Sequence, residues 1–191
     1  ELVIGQQLEN RSSQRKMTDA MKTKKAVAAM SLIWAVILTA YPQSAPKWMK
    51  TYGGNMMELA SCICPAPDGG YLLGGTSSSD CSGDKTGCLK GVIDYWVIRV
   101  DEDGNKLWDR TYGGDTFDEL ATIRATNDGG YLLGGKSTSG VSGDKSEPSF
   151  GEFDFWVVKI DAAGNVQWDR TYGGTGNEDL VALAQAAGGG Y

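Results

Sequence analysis

Histidine is absent from all 191 residues. That removes the commonest general base near neutral pH and the commonest transition-metal ligand, so composition alone excludes every catalytic triad or zinc site that needs imidazole. Basic residues are also thin where the chain is most regular. Six of the 18 (Arg11, Arg15, Lys16, Lys22, Lys24 and Lys25) precede Pro46, which leaves 12 against 21 acidic residues from there on. An acidic surface repels phosphate backbones, which argues against nucleic acid as a partner. No Ser-x-x-Lys motif, nucleophile elbow or phosphate-binding glycine loop stands out, because the glycines lie between strand-like runs and not ahead of a helix. Cysteine is confined to four positions, Cys62, Cys64, Cys81 and Cys88, and neither a C-x-x-C spacing nor a histidine supports a metal site.

No apolar run reaches the roughly 20 residues of a bilayer span. The longest, Ala26 to Ala40, is about fifteen residues and follows the basic Lys22, Lys24 and Lys25. This is the pattern of a secretory signal peptide, with small residues for cleavage at Ala40, Ser44 and Ala45. Residues 21–45 are therefore read as a signal peptide, against the alternative of a retained membrane anchor. No cysteine follows the run closely, which speaks against a lipoprotein anchor. Residues 1–20 are polar, aperiodic and unlike the rest, and read as a tag or upstream leader. The expected location is secreted or on the outer cell surface, with no membrane span in the mature chain and with disulfides permitted.

What the chain does have is repetition. Trp108–Gly114, WDRTYGG, returns as Trp168–Gly174, and a looser copy, WMKTYGG, stands at Trp48–Gly54. Asp68–Gly75, DGGYLLGG, recurs letter for letter at Asp128–Gly135, and Asp94–Asn105 matches Asp154–Asn165. A fixed period of this length marks a solenoid or propeller. The units are 48–107, 108–167 and an incomplete 168–191, the whole array being 46–191. The last aligns with a unit only as far as the start of its second strand, so a truncated frame or a piece of a longer array is expected.

Each unit reads as four short strands. In the second, Glu119–Thr126 and Tyr131–Lys136 flank Asn127-Asp128-Gly129-Gly130, residues that accept the positive φ of a tight hairpin turn. Asp154–Asp161 is a run of aromatic and β-branched residues that suits a strand buried on both faces, and Ala162-Ala163-Gly164-Asn165 turns it into Val166–Tyr172. There Val166, Trp168 and Tyr172 share one side. Four antiparallel strands are the content of one propeller blade, so the expected fold is all-β, a partial β-propeller. Gly113-Gly114 and Gly134-Gly135 mark bulges or close backbone approaches. Trp108, Trp156 and Tyr131 are the expected plugs between sheets, and closure needs further repeats.

The motifs WDRTYGG, DGGYLLGG and DFWVVKIDAAGNVQWD (Asp154–Asp169) resemble a family of tandem repeats in secreted bacterial proteins, best known from the Bacteroidetes group. The resemblance covers Trp48–Tyr191. It implies a β-propeller and often a C-terminal sorting domain, which is not seen here, and it brings no catalytic residue, because the shared motifs are glycines and core aromatics. YLLGG also gives a superficial likeness to kelch repeats, but the present unit is longer and places its tryptophans differently.

Asp101-Glu102-Asp103-Gly104-Asn105 imitates the start of a calcium loop, but Tyr112 occupies the position where such a loop needs glutamate, and the counterpart Asp161–Asn165 lacks two carboxylates; a hairpin turn is the better reading. Asp118-Glu119 and Glu178-Asp179 resemble a glycosidase pair, yet they recur unit by unit as a structural feature would. Ser-Gly-Asp-Lys at 82–85 and 142–145 opens the least regular stretch of each unit, and binding residues gather on long loops carried by rigid scaffolds. Asp84, Lys85, Asp144 and Lys145 are thus the candidate binding residues, weighed against a solvated turn held by local Ser and Asp bonds. The cysteines predict one or two local disulfides: Cys81 with Cys88 would close the irregular loop, while Cys62 and Cys64, two apart on one strand, would pair only under strain. No catalytic residue, metal or cofactor is expected. The function these readings support is an exported, non-enzymatic scaffold or binding module whose blade-end loops engage a protein or glycan at the cell surface. The alternatives are a propeller hydrolase or lyase whose catalytic residues lie in other blades, or a fragment with no activity of its own.

Overall fold

Within residues 46–191, which the computed structural model describes, every regular element is a β-strand. The segments read as a leader, 1–20, and as a signal peptide, 21–45, lie outside the described residues. The strands are β1 (Glu58–Pro65), β2 (Tyr71–Ser77), β3 (Asp94–Val100), β4 (Lys106–Tyr112), β5 (Asp118–Ala125), β6 (Tyr131–Ser137), β7 (Asp154–Ile160) and β8 (Val166–Tyr172). They form two four-stranded antiparallel sheets, each in simple sequential order. The sheets do not close on each other into a ring. Both sheets and all four strands of the second unit fall where the pattern puts them, within a residue at each end.

The sequence repeat is a structural repeat down to its irregularities. Gly75 pairs with Trp96 as Gly135 pairs with Trp156, and Tyr95 faces Tyr112 as Phe155 faces Tyr172. Register shifts fall between Ala60 and Cys62 and between Leu120 and Thr122, and again between Arg99 and Val100 and between Lys159 and Ile160. The β3–β4 turn is closed by the Asp101 carboxylate, which accepts from the backbone of Asp103 and Asn105, while Gly104 supplies a φ of 73°. Asp161, Asn165 and Gly164, at 83°, do the same after β7. These loops are hairpin turns, as read from Tyr112.

Neither sheet could bury both its faces alone. β5 lies across β1, β2 and β3, and it can approach because Gly74 has no side chain: a Cβ there would stand 2.5 Å from Ile123 and 2.8 Å from Leu120. The chain after β8 repeats the contact, with Leu180 and Leu183 over Gly134. The main core lies at this junction and contains Leu72, Tyr95, Val97, Leu120, Ile123, Leu133, Trp156 and Val158. Tyr95 and Trp156 meet with ring centroids 4.9 Å apart and a 44° tilt, and the Tyr95 hydroxyl donates to the Trp156 carbonyl at 3.0 Å. Tyr112, 2% exposed, also serves this interface, its hydroxyl reaching the carbonyl of Gly164 at 2.8 Å. Its repeat Tyr172 has no further sheet beyond it among the described residues and is 56% exposed. The same residue is buried or exposed according to whether a neighbouring sheet is present, which identifies these aromatics as inter-sheet plugs.

Candidate binding loops and a buried polar row

After β2 and β6 the chain leaves the sheet for segments 78–93 and 138–153. Each opens on a tight turn in which the Lys85 or Lys145 amide donates to the Ser82 or Ser142 carbonyl at 2.9 Å, with Gly83 and Gly143 at φ 58° and 56°. The next tie explains why two distant motifs recur together. The Asp84 amide donates to the Gly53 carbonyl at 2.8 Å and its carboxylate accepts from the Gly53 amide at 3.1 Å; Asp144 and Gly113 repeat both bonds at 3.0 and 3.2 Å. The Ser-Gly-Asp-Lys turn is therefore pinned to the Tyr-Gly-Gly that precedes each sheet.

Asp84 and Asp144 remain partly exposed, but Lys85 and Lys145 turn inward and are 2% exposed each. The Lys85 ammonium donates to the Ser79 carbonyl at 2.6 Å, and that of Lys145 donates to Thr171 and lies 5.7 Å from the centre of the Trp156 ring. Burial lowers the pKa of both lysines, while carboxylates oppose the shift: Asp94, Asp80, Glu58 and Asp109 around Lys85, and Asp118, Asp169 and Asp154 around Lys145. The four candidates thus divide: the aspartates sit at the loop surface as pins, and the lysines are internal cations.

A row of carboxylates completes this end of the sheets. Asp94, Asp118 and Asp154 are fully buried, and each leaves one oxygen without a partner. The other oxygen accepts from backbone: Lys90 N to Asp94 at 2.6 Å, and Gly114 N to Asp118 at 2.7 Å, where the Ser139 hydroxyl adds a bond at 3.0 Å. Burial pushes Asp94 up to about 6, and the Asp118 carboxylate across the sheet junction adds to it. Asp118 is therefore a structural tie and faces no open cleft, while Glu119 is half-exposed beside Lys136 at 3.6 Å. Sequence reasoning missed the role of Asp94 and Asp154. The available signal was the aspartate heading each otherwise apolar third strand, DYW and DFW.

Cys81 and Cys88 form a disulfide that closes the first loop. In the second loop the same positions hold Val141 and Pro148, and Ser149 does the closing, its amide to Ser139 O at 3.1 Å and its hydroxyl to Ser137 O at 2.8 Å. Cys62 and Cys64 are free thiols, not a second disulfide. Burial drives the Cys62 thiol up to about 11, which leaves it unreactive. Among the described residues one group of three ligand-type side chains lies close together, Asp80, Cys81 and Cys88, and its two sulfurs are bonded to each other. On the exposed side the loops offer Thr86 and Ser146, with Val141 65% and Phe150 59% exposed in the second. A shallow groove beside them is lined by Ile93, Thr116, Phe117, Thr138 and Phe153. Among the described residues no helix is long and apolar enough to cross a membrane. No protein-family model matches the chain, and no curated protein matches it.

Proposed function

We propose that the chain is part of a β-propeller that works as an exported, non-enzymatic binding module, holding its blade-end loops toward a protein or glycan of the cell surface. The observation that carries this reading is the duplicated loop: segments 78–93 and 138–153 carry the same turn, the same aspartate tie to a Tyr-Gly-Gly and the same buried lysine, one repeat apart. So much internal bonding behind the loops and so little chemistry in front of them fits presentation and not turnover. Two similar surfaces at fixed spacing let weak contacts add by multivalency. The contact residues in this scheme are the exposed ones, Thr86, Val141, Ser146 and Phe150, with Asp84 and Asp144 as the pins that set loop shape.

A glycan array probed with the full chain tests this directly. Binding that drops at least tenfold in the double variant Thr86→Arg with Ser146→Arg, at unchanged circular dichroism, supports it. Binding indifferent to both loops, or glycan cleavage by the chain, contradicts it.

A further inference from the structure

Trp48–Gly54 carries the fourth-strand sequence yet belongs to neither sheet. It is held where a fourth strand would lie relative to sheet 1. Trp48 covers Gly104, where a Cβ would stand 2.7 Å from its ring, as Trp108 covers Gly164 at 3.2 Å. The Trp48 indole donates to the Glu102 carbonyl at 2.9 Å. Tyr52 donates to the Gly104 carbonyl as Tyr112 does to that of Gly164, and Asp84 pins Gly53 as Asp144 pins Gly113. One difference separates the two segments. β4 is paired along its length with β3, Tyr112 opposite Tyr95, whereas Trp48–Tyr52 pairs with no strand among the described residues.

Beside this segment is a cavity of about 180 Å³ whose walls include Tyr52, Leu73, Gly75, Trp96 and Ile98. Of the residues sixty positions on, Tyr112 is the strand partner of Tyr95, Trp156 meets its ring, Gly135 lies at its hydroxyl, and Leu133 and Val158 belong to the same core. A Cβ on Gly135 would meet the Tyr95 hydroxyl at 2.7 Å, so glycine at that position makes the room the phenol occupies. Gly75 makes the same room in sheet 1.

We propose that this edge and cavity are an acceptor for one strand of a further repeat. The strand is of the Asp-aromatic-Trp kind seen at Asp94–Trp96; it adds antiparallel to Trp48–Tyr52, and its Tyr or Phe enters the cavity opposite Tyr52. Backbone bonds along the edge supply affinity and the aromatic pocket supplies specificity and register, the logic of β-strand addition. A second copy of this chain does not meet the requirement, because both of its strands of this kind, β3 and β7, are already paired on either side. The proposal rests on the stacking of repeats and not on ligand binding by the loops, so an unresponsive glycan array leaves it standing.

The probe is an acetylated peptide with the sequence of Ile93–Asp101, titrated into the ¹⁵N-labelled full chain. Amide shifts are expected at 48–54 and Gly75, together with the Trp96 indole. A peptide with alanine in place of the tyrosine should bind at least tenfold more weakly. Thr51→Pro, at an exposed position on the edge, should abolish the shifts while leaving the circular dichroism unchanged. No shift at these residues with peptide on the order of 1 mM, equal binding of the alanine peptide, or binding that Thr51→Pro leaves intact would each overturn the proposal. Self-association of the full chain through Trp48–Tyr52 would overturn it too, since the occupant would then be a second copy.

Discussion

At the residue scale, the buried carboxylates set the pH behaviour. Asp94 has a folded pKa of about 6, whereas an unfolded aspartate titrates near 3.9. The folded chain therefore binds the extra proton between those values, and the sign follows: stability rises as pH falls from above 6 toward 4, and the penalty at neutral pH is about 2–3 kcal/mol. Asp128 works in the opposite direction and in a lower window. Bonds from Thr126, Lys159 and Gly130 hold it down to about 2, so its contribution is lost as pH falls below 4. Urea midpoints should thus be higher at pH 5 than at pH 7.5 and drop again toward pH 2. Asp94→Asn should raise stability at pH 7.5 and flatten the rise toward pH 5. A variant that keeps the wild-type slope would mean that another group takes up the proton. None of this is visible in the order of letters: an aspartate ahead of Tyr-Trp-Val reads as a strand boundary. Its burial follows from what lies across the junction, Asp118 and the Gly113 backbone, which are supplied by the next repeat.

At the element scale, strands were legible and loops were not. Asp154–Ile160 and Val166–Tyr172 announce themselves through aromatic and β-branched runs separated by a Gly-Asn turn, and the structure keeps those bounds. Ser-Gly-Asp-Lys looks equally like a solvated turn, yet its lysine is internal, because the carboxylates that attract it, Asp94 and Asp109 for Lys85, come from strands of the same sheet. Burial of the tryptophans also depends on neighbours. Trp156→Ala should destabilise by about 3–5 kcal/mol, measured by urea unfolding, because its ring is fully buried between sheets. Trp168→Ala, at the equivalent of Trp108 but 36% exposed, should cost under about 1 kcal/mol; equal costs would mean that sheet stacking does not govern these residues. The Cys81–Cys88 crosslink closes a short loop, seven residues apart, so its reduction should cost about 2 kcal/mol and leave the strand signal in circular dichroism unchanged. Loss of that signal would show that the loop, and not the sheet, nucleates the first repeat.

At the scale of the whole molecule, two sheets repeat one another in register, bulges and turns, which is why a period read from the letters translated so directly into architecture. What the letters left open was how the repeats meet. That depends on Gly74 admitting Leu120 and Ile123, and on Tyr95 reaching a carbonyl in the next sheet, contacts between residues about fifty to sixty apart that no local pattern encodes. The most direct test of stacking is a double-mutant cycle on that long-range pair, Tyr95→Leu with Trp156→Leu, followed by urea unfolding. Stacked sheets predict a coupling of about 0.5–1.5 kcal/mol between the rings, while the hydroxyl bond to the Trp156 carbonyl drops out of the cycle because Trp156→Leu keeps that backbone oxygen. Costs that add to within about 0.3 kcal/mol would show that the two rings do not meet, and would contradict the account.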